Sequence, residues 1–85
     1  MRYRRAERVG HLADGGQVIV AVMPDGAPRV LAGTGAVIWQ LVDGATDMQL
    51  AEALASSYGV DAAEILPVVQ GFCGELVGLG VLESV

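Results

Sequence analysis

The sequence predicts an α+β fold in which a three-stranded antiparallel sheet is followed by three helices. The first 32 positions contain short apolar runs separated by glycine- and proline-rich turn signals, which is typical of antiparallel strands. From position 34 onward the apolar residues recur at helical spacing instead. Because 85 residues provide enough surface for only one core, we expect a single domain covering residues 1–85.

Two strands and a tight turn are predicted before the first proline. Gln17–Met23 reads QVIVAVM, which is β-branched and apolar on both faces and therefore typical of a central strand. Tyr3–His11 has charged residues interleaved with apolar ones, which favours an outer strand. The segment ADGG at 13–16 joins them, because Asp-Gly tolerates the positive φ angles of tight hairpins.

The third strand is predicted at Arg29–Ala32, after the turn PDGAP. In that turn Pro24 presets φ, and we expect Gly26 to adopt a left-handed conformation. Pro28 has no backbone N–H, which places the third strand at an edge of the sheet. An edge strand leaves a row of peptide groups available to another chain.

The first two helices are predicted from caps and apolar spacing. Thr34 is the expected N-cap of the first helix, and Thr46 with Gln49 has the form of a capping box for the second. Gly59 is expected to end the second helix. The apolar stripes are Val37, Ile38, Leu41 and Val42 with Trp39 adjoining in the first helix, and Leu50, Ala53, Leu54 and Tyr58 in the second.

The third helix has an apolar face wider than one packing seam requires. We expect Asp61 and Glu64 to open it with a similar capping box, and we expect it to end by Gly80, with residues 81–85 as an apolar tail over the core. Its back carries Gly71, Gly74 and Gly78, which indicates close packing, neutral drift or the approach of another backbone. The wide face consists of Ile65, Val68, Val69, Phe72, Leu76 and Leu79, extended by Leu66, Cys73 and Val77.

The charge distribution argues against nucleic-acid binding. All five basic residues lie within the first 29 positions, and the seven formal charges after Val30 are all acidic. Three helices after a set of strands resemble a winged helix-turn-helix, but a recognition helix needs basic or amide side chains, and the third helix offers only Gln70 beside glutamates. A winged-helix DNA-binding protein is therefore the alternative that the charges disfavour. A dimerisation scaffold that pairs through the edge strand is a second alternative.

No arrangement typical of an active site or cofactor site is apparent. His11 and Cys73 are the only histidine and cysteine, GTGA at 33–36 lacks the lysine of a phosphate-binding loop, and the carboxylates suit helix caps and exposed faces. We therefore expect a protein that is not an enzyme and has no cofactor or metal. No apolar run is long enough to cross a bilayer, no signal peptide is predicted, and the lone cysteine favours a cytoplasmic location.

The order of these segments resembles the PqqD-like family, whose winged-helix modules are also called RiPP recognition elements. The resemblance is carried by residues 3–9, the strand-to-helix segment VLAGTGAVIWQLVDG, LAEALASSYGVD and FCGELVGLGVLE. The small stand-alone format is similar to the recognition proteins of lasso-peptide pathways. The resemblance implies binding to the N-terminal leader of a ribosomally made precursor, followed by presentation to a leader peptidase and a cyclase or other tailoring enzyme.

An extended leader is expected to add a strand beside Arg29–Ala32 and to insert side chains between that strand and the third helix. Backbone hydrogen bonds would set its register, whereas pockets in the groove would provide specificity. The expected peptide-binding residues are Pro28, Arg29, Val30, Leu31, Ala32, Ile65, Val68, Val69, Phe72, Cys73 and Leu76.

Overall fold

The computed structural model describes residues 1–85 and confirms the predicted class. A three-stranded antiparallel sheet precedes three helices, and a short strand follows them. The elements are β1 (Tyr3–Arg5), β2 (Val9–Asp14), β3 (Gln17–Val22), β4 (Arg29–Ala32), α1 (Thr34–Leu41), α2 (Asp47–Tyr58), α3 (Ala62–Gly78) and β5 (Leu82–Ser84).

The main sheet has the strand order β2-β3-β4, so β3 is central and β4 lies at an edge, as predicted. Val18 and Val20 of β3 are buried, whereas Ile19 between them is exposed on the other face. In β4, Leu31 pairs with Val18 and faces the same core. No backbone hydrogen bond joins residues 28–32 to any element other than β3, so the outer edge of β4 is unpaired.

The N-terminal segment differs from the single outer strand that was predicted over Tyr3–His11. It divides into β1 and β2, and β1 pairs with β5 in a separate two-stranded sheet. The split follows from Tyr3, whose side chain is buried and whose N–H and C=O bond to Ala45 and Gly44. The C-terminal tail therefore contains a strand, β5, which pairs with β1, and Val81 and Leu82 are buried.

The two predicted turns have different outcomes. Gly15 and Gly16 have φ angles of 56° and 82°, which confirms the hairpin turn between β2 and β3. Gly26 does not adopt a positive φ, so that expectation was wrong. Its amide donates to the Val22 carbonyl at 2.6 Å, and a Cβ at this position would collide with the Val22 backbone. Glycine is required there by close approach of the chain to itself.

The start and the buried face of α1 also differ from the prediction. The N-cap is Gly33, with φ 57°, and no side chain caps the helix; Thr34 is its first residue. Helix α1 buries Ala36, Ile38 and Trp39, with Val42 just beyond its end, whereas Val37 and Leu41 of the predicted stripe are exposed.

The Arg5 guanidinium links β1 to α1, because its carbon lies 5.0 Å from the Trp39 ring centroid and its Nη2 donates to the Trp39 carbonyl at 2.6 Å. This combination of a cation over an aromatic face and a hydrogen bond fixes the orientation of α1 against the two-stranded sheet.

The capping box of α2 is present, with Thr46 and Gln49 bonding reciprocally, and Gly59 ends the helix in the left-handed conformation. The similar box predicted for α3 does not form, because the Asp61 side chain makes no capping bond. Pro67 is the sixth residue of α3, beyond its first turn. Helix α3 packs on α2 and on β5, which leaves one of its flanks free to face β4.

Candidate peptide-binding groove

The wide apolar face of α3 is divided between the core and the surface. Val69, Cys73 and Leu76 are buried in the core together with residues of the sheet and the other helices. Val68 and Leu79 are 56% and 43% exposed, and Phe72 between them is half-buried. We call these last three residues the open flank of α3. Its presence explains why the apolar face is wider than one packing seam needs.

The open flank faces β4 and the start of α1. Three pairs of neighbouring residues show in which direction α3 runs relative to β4. The Phe72 ring approaches Gly35 so closely that a Cβ there would lie 2.9 Å from ring atom Cε2. The Glu75 carboxylate accepts from Arg29 Nη2 at 3.1 Å. Leu79 and Pro28, the residue before β4, line the same small cavity. Helix α3 therefore runs antiparallel to β4, and we call the space between them the groove.

The groove ends in a small apolar cavity below the start of β4. Its volume is about 210 Å³, which accommodates an apolar side chain. The Arg29 side chain forms one wall, and Leu79 of the open flank forms another. The full lining consists of Val22, Gly26, Ala27, Pro28, Arg29, Leu79 and Val81.

The expected strand residues all lie along the groove or its edge. Arg29 and Leu31 share the face of β4 that points toward the helices, since side chains alternate along a strand. Leu31 is buried, so only its backbone is available to a ligand. Val30 and Ala32 point to the opposite face of the sheet and are exposed. Pro28 lines the cavity.

The expected helix residues are divided by the structure. Val68 and Phe72 lie on the open flank, and Ile65 is half-buried one turn before Val68. In contrast, the side chains of Val69, Cys73 and Leu76 are fully covered by the core and present no surface to a ligand. Burial raises the pKa of the Cys73 thiol to about 11. These three residues therefore support the groove from below instead of lining it.

Sequence reasoning missed two residues of the groove and one contact below it. Glu75 was assigned to a solvent-facing arc, yet it follows Phe72 by three positions and precedes Leu79 by four, which places it on the same stripe. Leu79 was recognised as part of the apolar face but not as part of a site. Gly35 and Phe72 are 37 positions apart in the sequence, so no local pattern indicates the contact between them.

A larger cavity, of about 400 Å³, lies on the other side of α3 and has a different character. The Asp47 carboxylate lines this cavity and accepts hydrogen bonds from Gln70 Nε2 and from the Met48 amide, both at 2.9 Å. These bonds, the Gln70 bond first, lower the pKa of Asp47. Tyr3 lies beside it, and burial raises the pKa of its phenol. Because Asp47 is already bonded within the chain, we assign no ligand to this cavity.

The structure offers neither a metal site nor a membrane-spanning helix. No three His, Cys, Asp or Glu side chains converge closely enough to hold a metal ion. None of the three helices combines the length and the apolar character that crossing a bilayer requires.

Comparison with known proteins identifies the family. The family model for coenzyme PQQ synthesis protein D (PqqD) matches residues 19–82, which is well over half of the chain. The chain therefore belongs to the PqqD family, as its sequence resemblance indicated. The matched range begins within β3 and ends at the first residue of β5, so it contains both β4 and α3.

A solved structure shows the same fold. TbiB1, in complex with the TbiA(beta) leader peptide, superposes with a TM-score of 0.87 at 20% sequence identity, covering 96% of each chain. No curated protein matches the sequence.

Proposed function

We propose that the chain binds the N-terminal leader of a ribosomally synthesised precursor peptide in the groove between β4 and α3. The observation that carries this proposal is an unpaired strand edge lying directly beside an exposed apolar helix flank. An extended peptide satisfies both at once, because one side of its backbone can pair with β4 while its side chains enter the groove.

The backbone contribution follows from the length of β4, which has four residues. In an antiparallel edge strand every second residue directs its N–H and C=O outward, so β4 offers two donors and two acceptors to the leader. At about 1 kcal/mol net for each bond, these four bonds fix the register of the leader but do not distinguish one sequence from another.

The side-chain contribution comes from the groove. Leader residues that point inward meet Phe72, Leu79 and the cavity below Pro28, and each buried apolar anchor contributes about 1.5 to 3 kcal/mol. Ordering a flexible peptide costs several kcal/mol, so we expect a dissociation constant in the micromolar to submicromolar range. The cavity and the open flank thus provide the sequence specificity that the strand edge lacks.

The proposal extends to the enzymes that the bound precursor meets. We propose that the chain acts by binding and not by catalysis, and presents the precursor to a leader peptidase and to a cyclase or other tailoring enzyme in the cytoplasm. A lasso-peptide pathway is the setting that the sequence resemblance implies. The complex of TbiB1 with a leader peptide, on the same fold, supports a leader as the ligand.

The decisive test is a backbone N-methylation scan of a synthetic leader, taken from a candidate precursor in a neighbouring open reading frame. Strand addition predicts that methylation weakens binding at every second residue over a window of about four, because only those amides face β4. The intervening positions are the matched control. Uniform or random sensitivity along the leader would contradict strand addition, as would full affinity in a folded Val30→Pro variant.

A further inference from the structure

We infer that the groove selects leaders carrying lysine or arginine, and that Glu64 and Glu75 of α3 read this charge. The inference rests on the proposed function, because it names the class of leader that the same groove accepts. Glu64, Val68, Phe72, Glu75 and Leu79 follow one another at intervals of three or four residues and so form one stripe of the helix. The two carboxylates, which we call the acidic rim, therefore border the open flank.

The acidic rim is almost free of cations from the chain itself. Glu64 is exposed and makes no ion pair, and the only ionic partner of Glu75 is Arg29. Arg29 is also the only basic residue after position 8. Arg4 pairs with Glu83, and Arg5 bonds to the Trp39 carbonyl, so these two are engaged away from the rim.

These charges decide the sign of the preference. Glu64 and Glu75 are about 16 Å apart along α3, so they meet different residues of an extended leader. A leader lysine or arginine at the first position can bind Glu64 directly, and one at the second can displace Arg29 from Glu75, because that half-exposed pair opens at little cost. A leader aspartate or glutamate would instead meet a carboxylate at either position. The chain as a whole carries a net charge of −5, which further favours the approach of a basic segment.

Arg29 therefore acts as an internal competitor of the leader's basic side chain. Removing its charge in Arg29→Gln frees Glu75 for the leader and should tighten binding, whereas Glu75→Gln should weaken it. If the Arg29–Glu75 pair only braced β4 against α3, either substitution would break the same contact and both would weaken binding. The two variants thus separate charge reading from a structural role by the direction of their effects.

The experiment is a fluorescence polarisation titration of the labelled synthetic leader at low and physiological salt. We expect Arg29→Gln to tighten binding and Glu64→Gln and Glu75→Gln to weaken it, each by about two- to fivefold as is usual for exposed pairs. Replacing the leader's lysines and arginines with glutamine should remove all three effects. Glu52→Gln, which makes the same charge change on the exposed side of α2, should leave affinity unchanged.

The outcomes distinguish this inference from the proposed function. If the leader binds with the alternating N-methylation pattern but Arg29→Gln and Glu75→Gln shift affinity in the same direction, or neither shifts it, the acidic rim does not read charge and the groove stands. Equal affinity for leaders with and without basic residues would also overturn it. If wild-type protein does not bind the leader, both proposals fail together.

Discussion

Replacing Gly35 with alanine should displace the Phe72 ring without altering any exposed residue of the groove. The added Cβ would lie 2.9 Å from Cε2 and 3.0 Å from Cζ of that ring. Ordinary carbon contacts are about 3.5 to 4.0 Å, so the ring must move by roughly 0.5 to 1 Å. Gly35 itself has no positive φ and lies in α1, so its backbone accepts alanine without strain.

The expected cost falls on binding more than on stability. Alanine in a helix is favoured over glycine by up to about 1 kcal/mol, while rotating a ring off its preferred position costs roughly 0.5 to 1.5 kcal/mol. The free energy of unfolding should therefore change by no more than about 1 kcal/mol. Leader binding should weaken by about 5- to 10-fold, because the displaced ring loses part of an anchor contact worth about 1.5 to 3 kcal/mol.

Urea denaturation and a polarisation titration of the labelled leader measure the two effects separately. Gly71→Ala is the matched control, because it makes the same change in α3 where an added Cβ meets no atom within 4 Å. It should stabilise the fold by about 0.5 to 1 kcal/mol and leave leader affinity unchanged. If Gly35→Ala bound the leader as tightly as Gly71→Ala does, Phe72 would not be part of the site.

Two further predictions concern the start of α2. Thr46→Ala removes the Thr46 Oγ1 that accepts from the Gln49 amide at 3.0 Å, while the backbone N–H of residue 46 keeps its 2.9 Å bond to Gln49 Oε1. This change should lower the free energy of unfolding by about 1 kcal/mol in urea denaturation, whereas Thr46→Ser should be close to wild type. The pKa of Asp47 is lowered in the folded chain, chiefly by the Gln70 hydrogen bond, so its stabilisation is complete above the unfolded pKa of about 4 and is lost as pH falls through the folded value. Asp47→Asn should therefore flatten the loss of stability below pH 4, and an unchanged acid limb would contradict this assignment.

Local signals were sufficient for most of the main architecture. The hairpin glycines, the capping box at Thr46 and the edge position of β4 all depend on residues close together in sequence, and each prediction was confirmed. The division of the N-terminal segment into β1 and β2 depends on β5, which begins almost 80 residues later. A long-range pairing of two three-residue strands leaves no periodicity strong enough to detect in the sequence.

The candidate site shows the same limit of local sequence signals. Helical periodicity gave the width of the apolar face of α3, but periodicity cannot determine where the core ends and the surface begins. That boundary depends on how α2 and β5 pack against α3, and they cover Val69, Cys73 and Leu76 while leaving Val68 and Leu79 exposed. Glu75 was not predicted as a site residue because a charged side chain usually faces solvent. A side chain that faces solvent can, however, also border a groove.

The contacts that position the groove also oppose its closure. If β4 moved onto the open flank, the Arg29 and Glu75 charges would have to leave water, which costs more than their exposed pairing returns. At the other end the Phe72 ring already rests on the Gly35 backbone, so α1 and α3 cannot approach further there. The open flank therefore stays uncovered, beside a strand edge whose backbone groups have no partner in the chain. The proposed leader would use both features, because its backbone can pair with β4 while its side chains contact the open flank.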